Sequence, residues 1–199
     1  DRPTDWQGAA TAKLKNLSYD SQVLGEVTLE MSAEHGLAQV ALKNEFDNRN
    51  SLTVNAEGEL PTTLEGFTRT RAKGQVHLLA PETERLHLPE PLVGDLAATG
   101  DFTLADGLLI ANLMVTSQKL AAAEAELTDT EFSLRLEKDL SLPADAPFFQ
   151  TLATTSEGTV KQARFRDYVA EALRWKATSR EERVTVEELA LSKESNTTR

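Results

Sequence analysis

Residues 23–60 read VLGEVTLEMSAEHGLAQVALKNEFDNRNSLTVNAEGEL. From Val27 to Ala33 every second residue is apolar or small and the residues between are polar. This alternation is typical of a strand with one apolar face and one solvent-exposed polar face. The same alternation resumes after the turn signals at 35–36 and 47–50. We therefore predict three long consecutive strands in a meander, around which the rest of the chain is organised.

The same period continues along most of the chain. The other alternating segments are 7–17, 72–80, 94–104, 108–119 and 184–191. Asp106-Gly107 is a strong hairpin signal, and Glu187-Glu188 interrupts the last segment in the way that a bulge would. Residues 120–127 are rich in alanine and could be helical by propensity, but we predict a further strand there, followed by a turn at 128–129. The fold class expected is all-β, with long antiparallel meander strands and little or no helix.

One segment, 160–176, fits two structures. Phe165, Val169 and Leu173 fall at helical spacing, whereas Val169, Leu173 and Trp175 share one face of a strand. The pattern by itself favours neither helix nor strand.

The composition favours a sheet with one wet face. Only 40% of the residues are hydrophobic and 6% are aromatic, and the strands place a polar residue at nearly every second position, so a thick sandwich core is not expected. Gly58, Gly94 and Gly100 lie on the predicted apolar face, where small residues give room and curvature. We predict a curved open sheet, a β-groove or gutter of the β-taco-like kind, whose concave face is a hydrophobic trough.

The chain divides by pattern into a meander region and a further set of strands. Residues 1–140 form one or more meander units with a proline-rich crossover at 81–91, because proline cannot donate to a strand ladder. Residues 148–192 are expected to be strands of the next repeat, and 193–199 a polar tail. The sequence lacks an initiator methionine and a signal peptide, so we expect a piece of a longer protein whose targeting or anchoring segment lies outside it.

Charge and motifs exclude several functions. A formal net charge of -11 disfavours nucleic acid and anionic membrane surfaces, which attract basic proteins. The chain has no cysteine, no phosphate loop, no dinucleotide fingerprint and no nucleophile elbow. His35, His77 and His87 are scattered over different segments, and the carboxylate pairs follow from the acidic composition. We therefore expect no enzyme, no metal and no cofactor.

The apolar strand faces provide the candidate binding residues. In an open trough they would contact the acyl chains of a lipid, whereas in a closed domain they would be ordinary core, and alternation by itself does not distinguish the two. The groove candidates are Val27, Leu29, Met31, Val40, Leu42, Leu52, Val54, Leu60, Leu96, Phe102 and Leu104.

Several segments resemble a known family. Residues 51–60 (SLTVNAEGEL), 96–110 (LAATGDFTLADGLLI) and 183–191 (RVTVEELAL) are similar to the repeats of AsmA-like and TamB-like envelope proteins of Gram-negative bacteria. The resemblance favours strand for 160–176. It implies a periplasmic segment of a long repeating β-groove that helps to move or organise phospholipid between the inner and outer membranes. The partners implied are acyl chains and other repeats of the same longer chain, with an inner-membrane anchor outside this sequence. The crossover and the Phe148-Phe149 region are not marks of the family.

Two other classes of function remain open on the sequence. One is a structural or adhesive β module without a ligand, in which the acidic face only keeps the sheet soluble. The other is an enzyme or carbohydrate-binding domain, for which the aromatic candidates Trp6, Tyr19, Tyr168 and Trp175 are far apart in the chain.

Overall fold

The computed structural model describes residues 2–19, 22–63, 66, 69–86, 91–141, 152–180 and 183–192. In these ranges, 13 strands form one antiparallel meander sheet that does not close, and no α-helix occurs among them. The prediction of an all-β chain in a curved open sheet is confirmed.

The strands follow one another across the sheet almost in chain order. They are β1 (Gly8–Tyr19), β2 (Gln22–Glu34), β3 (Leu37–Glu45), β4 (Ser51–Glu59), β5 (Ala72–Ala80), β6 (Leu92–Gly94), β7 (Leu96–Ala105), β8 (Leu108–Ala122), β9 (Ala125–Asp139), β10 (Leu152–Phe165), β11 (Tyr168–Ala170), β12 (Ala172–Arg180) and β13 (Arg183–Ser192). The short strands β6 and β11 pair with β8 and β10, and the other eleven form a continuous path from β1 to β13. Two short 3-10 turns lie at Pro3–Asp5 and Thr83–Leu86.

Two tight turns hold the register of the sheet. His35 and Gly36 have φ of 51° and 76°, and Asp106 and Gly107 have φ of 51° and 85°. Two-residue turns with both φ positive match the twist of the flanking strands, so each fixes which residues lie opposite one another. Because a slip of one residue would move every side chain to the other face, these turns also decide which side of the sheet is apolar.

The prediction of a turn at 128–129 is wrong. The chain turns instead at 123–124, where Ala123 has φ of 48°, and β8 and β9 are single strands of 15 residues each. Asp129 lies inside β9 with φ of 50°, a left-handed conformation that aspartate tolerates better than most residues. A residue typical of turns therefore marks an irregularity within a strand here.

The open choice at 160–176 is settled as strand. Strand β10 continues to Phe165, a turn follows at 166–167, and β11 and β12 return along β10. The predicted bulge in the last strand is confirmed, because the β12–β13 register shifts between Lys176 and Ala177, which leaves Glu187 as the extra residue.

The predicted continuous strand 94–104 is interrupted at Asp95. Strands β6 and β7 both pair with β8, and the Asp95 carboxylate accepts the backbone N–H groups of Gln118 (2.9 Å) and Lys119 (2.9 Å). The Asp95 side chain thus replaces the missing backbone partners of β8. Strands β6 and β7 lie end to end along β8.

The crossover between β5 and β6 is tied to the turn between β3 and β4. Asn50 is fully buried, its Nδ2 donates to the carbonyl oxygen of Glu82 (2.9 Å), and the Glu82 N–H donates to its Oδ1 (3.3 Å). The Asp47 carboxylate accepts the N–H groups of Arg49 (2.7 Å) and Asn50 (2.8 Å). Beyond it, the buried Thr83 hydroxyl donates to the carbonyl oxygen of Leu92 (2.8 Å).

Replacing Asp47 by Asn should make the protein less sensitive to acid. The hydrogen bond from the Asn50 N–H is the main reason that the pKa of Asp47 lies below its ordinary value of 3.8. The Arg49 N–H and the charge of Arg85 lower this pKa further, whereas burial acts in the opposite direction. The carboxylate therefore stabilises the fold above that value, and the effect is lost as the pH falls through the lower pKa of the folded state. Thermal melts near neutral pH and at about pH 3 should show a smaller acid-induced drop for the variant than for the wild type. Asp106→Asn, in another turn, is the control, and equal drops for all three proteins would contradict the prediction.

Some sequence predictions fall on residues outside the described ranges. These are the Phe148-Phe149 region, the tail 193–199 and His87 in the crossover. Strand β9 nevertheless pairs directly with β10, so the strands on both sides of residues 142–151 belong to one sheet.

Candidate functional site

Cross-strand register collects the apolar residues of successive strands on one face, called here the apolar face. One row across eight strands consists of Ala12, Leu29, Leu42, Val54, Val76, Gly100, Leu113 and Leu134. Since residues directly opposite one another share a face, this row is a continuous strip of hydrocarbon running across the strands.

The apolar face is concave. A groove of about 800 Å³ lies across β1 to β5 and β7, and each of these strands contributes three consecutive residues to it. The middle residues of the six triplets are Ala10, Met31, Val40, Ala56, Gly74 and Phe102. All six lie on the apolar face by register, and on β4, β5 and β7 the middle residue is half-buried while both flanking residues are exposed. The apolar face is therefore the concave side of the sheet.

Small residues make the curvature possible. A Cβ atom built on Gly74 would overlap both the Phe102 ring and the backbone oxygen of Asn55. The aromatic ring therefore occupies the space that a side chain at Gly74 would need, and it covers a position where the backbone is otherwise bare.

By register, ten of the eleven groove candidates lie on the apolar face, and nine of these are half-buried. Leu60, just beyond β4, is buried with 7% exposure, and Met31 is 44% exposed. The described strands all belong to one sheet, and no α-helix of the described chain covers this face. A closed core would bury nearly every one of these side chains, so within the described ranges the face is an open trough and not the interior of a sandwich.

The apolar face extends beyond the candidates found from the sequence. It continues on β8 and β9 and reaches β12 and β13. The additional residues are Leu109, Leu113, Val115, Phe132, Leu134, Leu136, Leu173, Trp175, Val184, Val186, Leu189 and Leu191. The alternation of Phe132, Leu134 and Leu136 in the sequence indicates a strand. Because a turn was predicted at 128–129, the sequence did not show that these residues share the apolar face.

The opposite face is polar and carries ion pairs between neighbouring residues. Examples are Lys43–Glu45 (2.6 Å), Lys73–Glu57 (2.9 Å), Arg135–Glu137 (2.8 Å) and Lys176–Glu187 (3.1 Å). Lys13 pairs with Glu26, which raises the pKa of Lys13 through their hydrogen bond and lowers that of Glu26. Exposed pairs of this kind stabilise a fold little, so this face serves chiefly as the wetted side of the sheet.

No constellation for catalysis or metal binding is assembled from the described residues. No group of three or more histidine, aspartate or glutamate side chains among them could hold a metal ion. His35 lies in a turn and His77 on the polar face of β5. Glu57 of the carboxylate pairs forms an ion pair with Lys73, and Asp101 accepts a hydrogen bond from Asn112 (3.4 Å).

The aromatic candidates that the structure describes, Trp6, Tyr168 and Trp175, do not lie together. Trp175 lies on the apolar face, its Nε1 donates to Ser156 Oγ (3.0 Å), and its ring lies 5.7 Å from that of Phe132. Trp6 precedes β1, whereas Tyr168 begins β11 on the far side of the sheet path. The side chain of Tyr19 lies outside the described part of the chain.

Comparisons with known proteins assign no family to this chain. No family model, curated protein or solved structure matches this chain. Within the described residues, none of the helical segments has the length and hydrophobicity needed to cross a bilayer.

Proposed function

We propose that this chain is a segment of a hydrophobic β-groove that binds the acyl chains of phospholipid and helps to move or organise that lipid between the inner and outer membranes. The observation that carries the proposal is the concave apolar face, which extends across the sheet and is left half-exposed. An apolar surface of this extent is uncommon on a soluble monomer without a binding role.

An acyl chain fits the chemistry of this face. It needs apolar contact along its whole length and few hydrogen bonds. Met31, Val40 and Phe102 supply apolar contact in the groove, and Leu29, Val54 and Val76 do so in the adjoining row of the apolar face. The groove volume of about 800 Å³ lies in the range of small-molecule sites. The ion pairs described above are formed by side chains of the other face, so a chain lying along the central rows of the apolar face contacts mainly hydrocarbon.

The open edge at β13 supports a place within a longer groove. Every described residue of β13 is exposed, including Val184, Val186, Leu189 and Leu191 of the apolar face. An uncovered edge strand is a template for another strand, and a neighbour there would continue the trough. We propose that the neighbour is another repeat of the same longer chain, in a periplasmic protein of the AsmA-like or TamB-like kind that is anchored to the inner membrane by a segment outside this sequence.

The chain purified without detergent from bacterial cells should carry phospholipid. Native mass spectrometry should show adducts with the mass of diacyl phospholipid, and solvent extraction should release the same species, because exposed hydrocarbon gains by being covered. A ligand-free protein that stays ligand-free after incubation with dioleoyl phosphatidylcholine vesicles would contradict the proposal and favour a structural or adhesive module. An equal mass of an unrelated soluble protein, extracted in parallel, controls for carry-over.

A further inference from the structure

Two hydroxyl groups lie side by side within the apolar face, where β8 and β9 form it. Ser117 and Thr130 are directly opposite each other in the β8–β9 pairing, and each is only 5% exposed. Within the described ranges, neither side-chain oxygen has a hydrogen-bond partner. The Cβ atoms of directly opposed residues are about 4.5 to 5.5 Å apart, so one acceptor atom can reach both hydroxyls.

The surroundings of the pair are apolar. Val160 lies opposite Thr130 on β10 and is 1% exposed, and Val115, two residues before Ser117, is also buried. A buried hydroxyl without a partner is unfavourable in such surroundings. The two hydroxyls cannot satisfy each other fully, since if one donates to the other, the second still has a proton without an acceptor.

The sheet is irregular next to the pair. The paired positions of β8 and β9 skip Gln118 and Asp129, which follow Ser117 and precede Thr130. Asp129 has φ of 50°, and the N–H of Gln118 donates to the Asp95 carboxylate and not to β9. Irregularities of this kind re-aim side chains and are common beside functional sites.

The nearby lysines are already paired with carboxylates. Lys119 contacts Glu126 (3.2 Å) and Lys161 contacts Asp129 (3.2 Å), and all four side chains are exposed. Because these lysines are solvent-exposed and already paired with carboxylates, neither is free to neutralise a phosphate at the buried hydroxyl pair. A neutral oxygen is therefore a better acceptor for the two hydroxyls than a phosphate.

We propose that Ser117 and Thr130 donate hydrogen bonds to an ester carbonyl oxygen of an acyl lipid, an inference that rests on the proposed function. Ala111, next to Phe102 at the margin of the groove, is six residues before Ser117 on the same strand. This separation is about 20 Å at the rise of a β-strand, comparable with the length of a long acyl chain. The hydroxyl pair would therefore hold the ester end of a lipid whose chain lies along the apolar face.

The test compares two lipids and one double variant. The lipids are dioleoyl phosphatidylcholine and its dialkyl ether analogue, which lacks the ester carbonyls, and the variant is Ser117→Ala with Thr130→Val, which keeps side-chain volume. The wild type should bind the ester lipid about fivefold more tightly than the ether lipid. The variant should lose this preference while its affinity for the ether lipid stays unchanged. Without lipid it should melt at a higher temperature than the wild type, because two unsatisfied polar groups have been removed.

Three outcomes would overturn the inference. Equal affinity of the wild type for the two lipids would show that the carbonyls are not recognised, while leaving the groove itself in place. A lower melting temperature of the lipid-free variant would show that the hydroxyls are satisfied inside the protein or by ordered water only. Failure of both lipids to bind would remove the proposed function together with this inference, so the two failures are distinguishable.

Discussion

Replacing Val54 by Asp is expected to abolish acyl-chain binding while the sheet stays folded. Val54 lies in the middle of the apolar face, opposite Leu42 on β3 and Val76 on β5, and it is only half-buried. A carboxylate there would have to be covered by lipid hydrocarbon in the bound state, which costs about 3 kcal/mol, or roughly a hundredfold in affinity. In the free protein the same carboxylate reaches water, so we expect a loss of about 1 to 2 kcal/mol of stability.

The neighbouring residue supplies a matched control. Thr53→Asp adds the same charge one position along β4, on the polar face opposite Lys43 and outside the residues that line the groove. It should leave lipid binding and the melting temperature close to those of the wild type. Titration with dioleoyl phosphatidylcholine vesicles and circular dichroism melts of the three proteins make the comparison. Unfolding of the Val54→Asp protein would mean that this face is a closed core, which would contradict the groove.

The strand pattern could be predicted from the sequence because its signal is local. Alternation over residues 72–80 predicted β5 (Ala72–Ala80) to the residue, and the Asp106-Gly107 turn could be identified by its need for positive φ. The groove candidates fell on one face for the same reason, since a period of two determines the face as soon as the strand is known.

The rest depended on interactions between distant residues. The break at Asp95 exists because its carboxylate accepts N–H groups of β8 more than twenty residues away, and nothing near Asp95 in the sequence reports this. Residues 120–127 contain no glycine or proline, so the turn at Ala123 was hidden, whereas Thr128-Asp129 has the composition of a turn and lies within a strand. Curvature was likewise a property of the whole sheet, because it arises where small residues of one strand meet large residues of the next.

A larger residue at Gly74, which lines the groove, should strongly reduce stability. A Cβ at this residue would overlap the backbone oxygen of Asn55 as well as the Phe102 ring, and backbone on the neighbouring strand cannot move aside without breaking the ladder. We expect Gly74→Val to cost about 3 kcal/mol, a large share of the roughly 5 to 15 kcal/mol that stabilises a domain.

The control for Gly74→Val is the same side chain placed one residue along β5. Gln75→Val puts valine on the exposed polar face, where a β-branched residue fits a strand and should change stability by less than about 0.5 kcal/mol. Adding Phe102→Ala to Gly74→Val should recover only part of the loss, because the ring is removed while the Asn55 oxygen remains. Urea unfolding of the four proteins measures these differences. If Gly74→Val were as stable as Gln75→Val, the close packing of the Phe102 ring and the Asn55 oxygen against Gly74 would be absent in solution.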